Sequence, residues 1–292
     1  MKNMHYDLND FLNLSSEDIC KFTRFHGIKT CYLPVDGTRR YFLSKSINKS
    51  KWSDQNMEEY FSCMKLATIN LLQRFYSYGV ENMILLLMDS TSFNRGENYL
   101  KHAIELGIKP LIYDKDYLEF YDIFDIQVSI GGFNHLYSKK KFQNLLKDFS
   151  KIEKLTMNNS RRKLLFYTGS SPSEDYLLLI DTAMRLKEIG EDITRENLIR
   201  FIYKIRIPTI DFSIWYLSPR DKIIPPLLWN TGTRFYSPVP TFSITKEMIK
   251  KAIYYAAIQK KSINDNYIDY THENLINGSQ NEYNWSFKET RY

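Results

Sequence analysis

Apolar residues along this chain follow two spacings, and their alternation predicts a parallel sheet wrapped in helices. From Met57 to Tyr78, the residues Tyr60, Met64, Ala67, Leu71, Phe75 and Tyr78 recur at three- and four-residue intervals. That is one face of a helix about six turns long, and Gly79 supplies its C-terminal stop. Asn82-Met83-Ile84-Leu85-Leu86-Leu87-Met88 is a continuous apolar run of strand length, as expected where both faces of a parallel sheet are covered. Upstream, Lys29 to Val35 has the β-branched and aromatic content of another buried strand. Strand, helix, strand is the βαβ unit.

The alternation continues. A helix is predicted around Tyr99 to Leu106, closed by Gly107, then an apolar segment from Pro110 to Tyr113 and a strand from Phe124 to Ile130 ending at Gly131-Gly132. Next come a helix from about Ser138 to Lys154, a strand from Lys163 to Tyr167, a helix from Glu174 to Ile189, a helix capped by Thr194 and ending near Tyr203, and a last strand from Asp211 to Tyr216. Residues 1 to 28 read as partly helical, with Ser15 and Ser16 as caps ahead of Glu17 and Asp18. Thr245 and Glu247 open a final helix through Met248, Ile249, Ala252, Ile253 and Ala256. Between Ser44 and Asp54 the residues are small, polar and basic, which suits a flap or a plain linker. From Lys261 onward the chain is polar and asparagine-rich without a period. The expectation is one α/β domain over residues 1–260, built on a mostly parallel central sheet surrounded by helices, and a polar tail over 261–292.

Composition narrows the function classes. With 292 residues and 43% hydrophobic content the chain can bury a substantial core. No apolar stretch approaches the roughly twenty residues of a membrane span, and Met1 to Asp7 lacks the apolar segment of a signal peptide, so a cytoplasmic protein is expected. Cys20, Cys31 and Cys63 have neither disulfide nor zinc spacing. A formal charge of +6, spread along the chain without a dense block, does not call for nucleic acid. There is no Walker loop, no G-x-G-x-x-G, no G-x-S-x-G and no paired metal-binding histidines.

The chemistry concentrates at one strand exit. Asp36-Gly37-Thr38-Arg39-Arg40 directly follows the first strand. Glycine lets the backbone turn sharply and approach a ligand, a hydroxyl and backbone N–H groups cradle anionic oxygens, and paired guanidiniums grip phosphate bidentately. A carboxylate there, Asp36, would repel the phosphate unless a divalent cation lay between them, so the combination suggests a magnesium diphosphate site. Taken alone, the five residues also read as a hairpin turn followed by two solvated arginines. The second strand exits into Asp89-Ser90-Thr91-Ser92-Phe93-Asn94-Arg95-Gly96, and parallel strands end on one side, so two candidate ligand loops converge, carrying Asp89 and Arg95.

Val35 to Tyr41, the Phe93-Asn94-Arg95 loop and Leu227-Leu228-Trp229 before the final helix together resemble the cis-prenyltransferase (undecaprenyl diphosphate synthase-like) family over about residues 25 to 260. The Asp-Gly-Thr-Arg-Arg form, with Arg95-Gly96 and Tyr60 on the long helix, looks most like its tuberculosinol synthase branch, which forms diterpenes and transfers prenyl groups. The resemblance implies a six-stranded sheet around a hydrophobic tunnel, a homodimer, Mg2+ and allylic prenyl diphosphate substrates. It implies Asp36 and Tyr60 as catalytic groups, Asp36 as the metal-linked or proton-handling carboxylate, and Gly37, Thr38, Arg39, Arg40 and Arg95 as the diphosphate cradle. Tyr60 also reads as one more residue of an apolar stripe.

Elongating members of the family hold a second diphosphate with an Arg-x-Ser-Asn stretch and an arginine at the end of the preceding strand. Here those regions read Lys222-Ile223-Ile224-Pro225 and Trp215-Tyr216, and the glutamate that those members use as a metal ligand is Arg234. The expectation is an enzyme that ionises a single prenyl diphosphate of fifteen to twenty carbons, bicyclic ones included. Two alternatives stand beside it. One is an isopentenyl diphosphate-condensing elongase whose acceptor site is rebuilt from Lys222, Arg220 and Arg234. The other is a non-catalytic partner subunit, against which the retained Asp36 argues.

Overall fold

A computed structural model describes residues 6–45, 56–88, 92, 95–132, 143–169, 172–217, 224–229 and 232–264. The chain opens with helices α1 (Leu8–Asn13) and α2 (Ser16–Phe25), each begun by a side-chain cap: Asp7 accepts from the Asp10 amide and Ser15 from the Asp18 amide. Strand β1 (Thr30–Pro34) leads into α3 (Thr38–Lys45), and the long helix α4 (Met57–Ser77) into β2 (Asn82–Met88). Short helices α5 (Glu97–His102), α6 (Pro110–Tyr113) and α7 (Lys115–Ile123) then precede β3 (Ile126–Gly131). The remainder is α8 (Gln143–Leu155), β4 (Arg162–Thr168), α9 (Pro172–Glu188), α10 (Arg195–Tyr203), β5 (Phe212–Tyr216), β6 (Thr233–Ser237) and α11 (Lys246–Asn264).

All six strands run parallel in the order β3-β4-β2-β1-β5-β6. Strand side chains alternate between faces, and each face has its own core. Cys31, Leu33, Met83, Leu85, Leu164 and Phe166 enter the larger one, with Leu71, Phe75 and Tyr76 of α4. Tyr32, Ile84, Leu86, Leu165, Tyr167 and Trp215 enter the other, with Ile199, Ile202 and Tyr203 of α10. Burial on both faces is why the central strands are continuous apolar runs. Register places Thr30 beside Asn82 and Pro34 beside Leu86, so β1 and β2 end at the same sheet edge. Among the described residues no helix is long and apolar enough to cross a membrane.

Several elements differ from the sequence-based expectation. Gly107 does not end a helix: α5 runs into a π-helical turn (Ala103–Ile108), in which Lys109 N–H donates to the Ile104 carbonyl at 2.9 Å. A Cβ at Gly107 would lie 2.7 Å from Phe61 Cε1, so the glycine serves close approach to α4. Pro110 to Tyr113 is a helical turn, and α7 follows it, capped by Asp114 and burying Tyr117, Phe120 and Tyr121. Asp211 to Tyr216 is not the last strand, because Thr233–Ser237 adds an edge strand whose pattern is masked by Arg234 facing outward. Helix α11 continues past residue 261 to Asn264. The Ser46 to Asp54 portion of the expected flap and the tail beyond Asn264 lie outside the described residues.

Candidate active site

Asp36 and Gly37 form a turn between β1 and α3, so the arginines that follow are helical and not part of a loop as the sequence suggested. Thr38, Arg39 and Arg40 make up the first turn of α3, whose amide N–H groups have no intrahelical carbonyl to meet. Such a helix start carries partial positive charge and attracts anions. Asp36 Oδ1 accepts the Gly37 N–H at 2.7 Å. The Asp36 N–H donates to Thr241 Oγ1 at 3.0 Å, and its carbonyl accepts from the Thr241 N–H at 3.1 Å. A segment just beyond β6 therefore fixes the turn. Gly37 has φ 69°, and a Cβ there would meet Pro240 Cβ and Tyr216 Cε1, each at 2.9 Å. Both the dihedral and the close packing require glycine.

Each arginine leans on a tyrosine. Arg40 NH1 donates to the Tyr216 hydroxyl at 2.5 Å, and its guanidinium lies 5.6 Å from the centre of that ring. Arg95, in the turn before α5, donates to the Tyr99 hydroxyl at 3.1 Å and sits 5.1 Å from its ring centre. Arg39 approaches the same ring at 5.9 Å. The exits of β1 and β2 are thus brought together, as parallel strands require, with Arg39 and Arg95 sharing one aromatic ring. Sequence reading passed over Tyr99 and Tyr216 as site residues. The signal was there: Tyr99 follows Arg95 by four residues, and Tyr216 closes β5 at the edge where β1 ends.

Tyr60 belongs to both the packing and the site. Its ring is 6% exposed and meets Phe42 of α3 edge-on at 5.7 Å and Phe61 at 4.9 Å. Its hydroxyl lies 2.7 Å from Thr38 Oγ1. Burial pushes the Tyr60 phenol up to about 12, against the downward pull of the Thr38 hydrogen bond and of Arg39 and Arg95. The phenol therefore stays neutral at physiological pH, a polar tip on an otherwise apolar wall. We expect Tyr60→Phe to change the product distribution or to lower the rate by about tenfold, while the melting temperature falls by no more than about 4 °C for one lost hydrogen bond. Product analysis and a melting curve check this; identical products at an identical rate would leave Tyr60 a packing residue alone.

The other sequence candidates stand elsewhere. Arg234 is the second residue of β6, about three strand residues or roughly 10 Å short of the carboxyl edge. Its guanidinium stacks on Trp229 at 4.5 Å and lies 5.8 Å from the Trp215 ring, on the second face of the sheet. Asp89, Arg220 and Lys222 lie outside the described residues. Among the described residues no three His, Cys, Asp or Glu side chains gather as metal ligands. A single carboxylate suits magnesium, which typically takes one or two protein oxygens and completes its shell with substrate phosphates and water. Asp36, held at the start of an anion-attracting helix, fits that role.

No family model matches the chain. A curated relative, tuberculosinyl adenosine transferase from Mycobacterium tuberculosis (strain CDC 1551 / Oshkosh), is 21% identical over 247 residues, which cover 84% of this chain and 80% of that protein. Two solved structures share the fold. Lavandulyl diphosphate synthase from Lavandula x intermedia, in complex with dimethylallyl diphosphate, superposes with a TM-score of 0.57 at 14% identity, covering 78% of this chain and 94% of that one. A probable undecaprenyl diphosphate synthase from Campylobacter jejuni gives 0.55 at 15% identity, over 78% and 94% of the two chains. Sheet topology and sequence similarity point the same way: the chain has the fold of the cis-prenyltransferases and resembles enzymes of that family in sequence.

Proposed function

We propose that this enzyme takes one allylic prenyl diphosphate, of fifteen to twenty carbons and in some cases bicyclic, and expels its diphosphate. The resulting cation is then ended by water, by proton loss after cyclisation, or by a second nucleophile. The observation that carries the proposal is the pairing of one cationic cradle with one aromatic wall: the α3 start with Arg39, Arg40 and Arg95 sits beside the buried Phe42 and Tyr60 rings and the half-buried Phe61 ring. A diphosphate leaves more readily where fixed positive groups meet the charge that develops on it, and an allylic cation persists where water is excluded. Bound Mg2+, held by Asp36 and the diphosphate oxygens, would supply Lewis-acid stabilisation of the leaving group. Thr38, Arg39 and Arg40 orient the diphosphate, Arg95 closes on it from the neighbouring strand exit, and Tyr60 offers its hydroxyl on the apolar side.

A single diphosphate is favoured over two because Tyr216 stands at the end of β5, where the resemblance leads one to expect a cationic group for the second. Its ring is packed on Gly37 and its hydroxyl is engaged by Arg40. The similar mycobacterial protein is named for a tuberculosinyl group and adenosine, and a nucleoside acceptor needs no second diphosphate cradle. A cytoplasmic homodimer belongs to the same proposal. Tyr176, Leu177, Ile180 and Met184 on α9 are 57 to 68% exposed within an arc of roughly 100° at 3.6 residues per turn, a face suited to self-association. Incubation of the purified protein with geranyl, farnesyl, geranylgeranyl and bicyclic prenyl diphosphates, followed by mass spectrometry, tests the activity. Release of diphosphate with a terpene alcohol, hydrocarbon or prenylated acceptor is the expected result; failure of every substrate in the panel to react, with Mg2+ present, would overturn it.

A further inference from the structure

We propose that Tyr99 is a positioning residue that holds Arg39 and Arg95 as a convergent pair before the anion arrives. The inference rests on the diphosphate reading of this site and names a residue in which neither the motif nor the family resemblance placed any role. Arg39 comes from the first turn of α3 and Arg95 from the turn that opens α5, so the two are far apart in sequence and reach the site from different strand exits. Two guanidiniums drawn to one place repel each other. The Tyr99 ring, half-buried, lies 5.9 Å from the Arg39 guanidinium and 5.1 Å from that of Arg95, and the negative face of an aromatic ring attracts both. Its hydroxyl also accepts a hydrogen bond from Arg95 NH1 at 3.1 Å, which orients a planar fork that the ring alone would leave free to rotate. A cradle already assembled loses less freedom on binding than one that has to gather its cations around the ligand. Tyr99 therefore acts on affinity for the diphosphate group and only indirectly on bond breaking.

The test is calorimetric binding of inorganic diphosphate with Mg2+ to the full-length wild-type protein and to Tyr99→Leu and Tyr99→Phe, alongside kcat and KM for the prenyl diphosphate substrate. Tyr99→Leu should weaken inorganic diphosphate binding and raise KM by about 5- to 20-fold with kcat within about twofold, since two cation–π contacts and a hydrogen bond are lost. Tyr99→Phe keeps the ring and should recover part of that loss. Arg39→Gln should cost less in the Tyr99→Leu background than in the wild type, because the pair is already splayed. Diphosphate affinity in a folded Tyr99→Leu variant equal to that of the wild type overturns the inference while leaving the functional reading in place. A fall in kcat with KM unchanged overturns it as well, and absence of diphosphate binding by the wild type removes the functional reading and the inference together.

Discussion

Asp36→Asn is expected to lower turnover by about a thousandfold, or about 4 kcal/mol in activation free energy, while the melting temperature stays within about 2 °C of the wild type. The two halves of that expectation come from different atoms. Structure at this position is carried by the backbone, through the N–H to Thr241 Oγ1 and the carbonyl to the Thr241 N–H, and neither bond involves the side chain. The side-chain bond that Oδ1 accepts from the Gly37 N–H is kept by an amide oxygen. What asparagine removes is the negative charge, and with it the hard oxygen donor that would draw Mg2+ to the diphosphate. Steady-state diphosphate release and a thermal melt measure the two halves separately. A folded variant with wild-type turnover would mean that Asp36 is only the first residue of a turn.

Neutralising Arg39 or Arg40 is expected to weaken inhibition by inorganic diphosphate roughly 10- to 100-fold each, because a charge-assisted bond to phosphate is worth about 1.5–3 kcal/mol. Arg40→Lys should recover only part of the loss, since an ammonium cannot reproduce a planar fork. Arg40 is solvent-exposed and already bonded to the Tyr216 hydroxyl, so the affinity lost on its removal should shrink as ionic strength rises. Arg39 is half-buried beside Tyr99, and its contribution should be less sensitive to salt. Inhibition constants unchanged in both variants would remove the two arginines from the diphosphate site.

Strand positions were legible because parallel strands buried on both faces leave uninterrupted apolar runs: Asn82–Met88 and Arg162–Thr168 stand where Asn82 to Met88 and Lys163 to Tyr167 predicted them. The long helix was legible because its stripe is regular and ends at Gly79. Edge strand β6 was obscure for the converse reason, with Arg234 exposed and its guanidinium resting on Trp229 of the preceding segment and beside Trp215 of the neighbouring strand. The π-helical turn was invisible because Gly107 looks the same whether it caps a helix or admits Phe61. Within the site, the motif residues Asp36 to Arg40 and Arg95 could be found by their chemistry. Tyr99 and Tyr216 were harder to find, since tyrosine carries no charge and the chain has 22 of them; the spacing of Tyr99 from Arg95 and the place of Tyr216 at the end of β5 gain meaning only once the strand exits are set side by side.

The central claim is that one diphosphate is bound and ionised and that no second one is condensed onto it. Isotopically labelled isopentenyl diphosphate supplied with an allylic prenyl diphosphate and Mg2+ tests it directly, with released diphosphate and extended chains counted in the same reaction. With Tyr216 seated on Gly37 and bonded to Arg40, and with Arg234 stacked on Trp229 away from the sheet edge, neither of these two positions offers a second diphosphate a cationic donor at that edge. The account predicts diphosphate release from the allylic substrate with no label in longer polyprenyl products; labelled polyprenyl chains formed at a rate comparable to that release would contradict it.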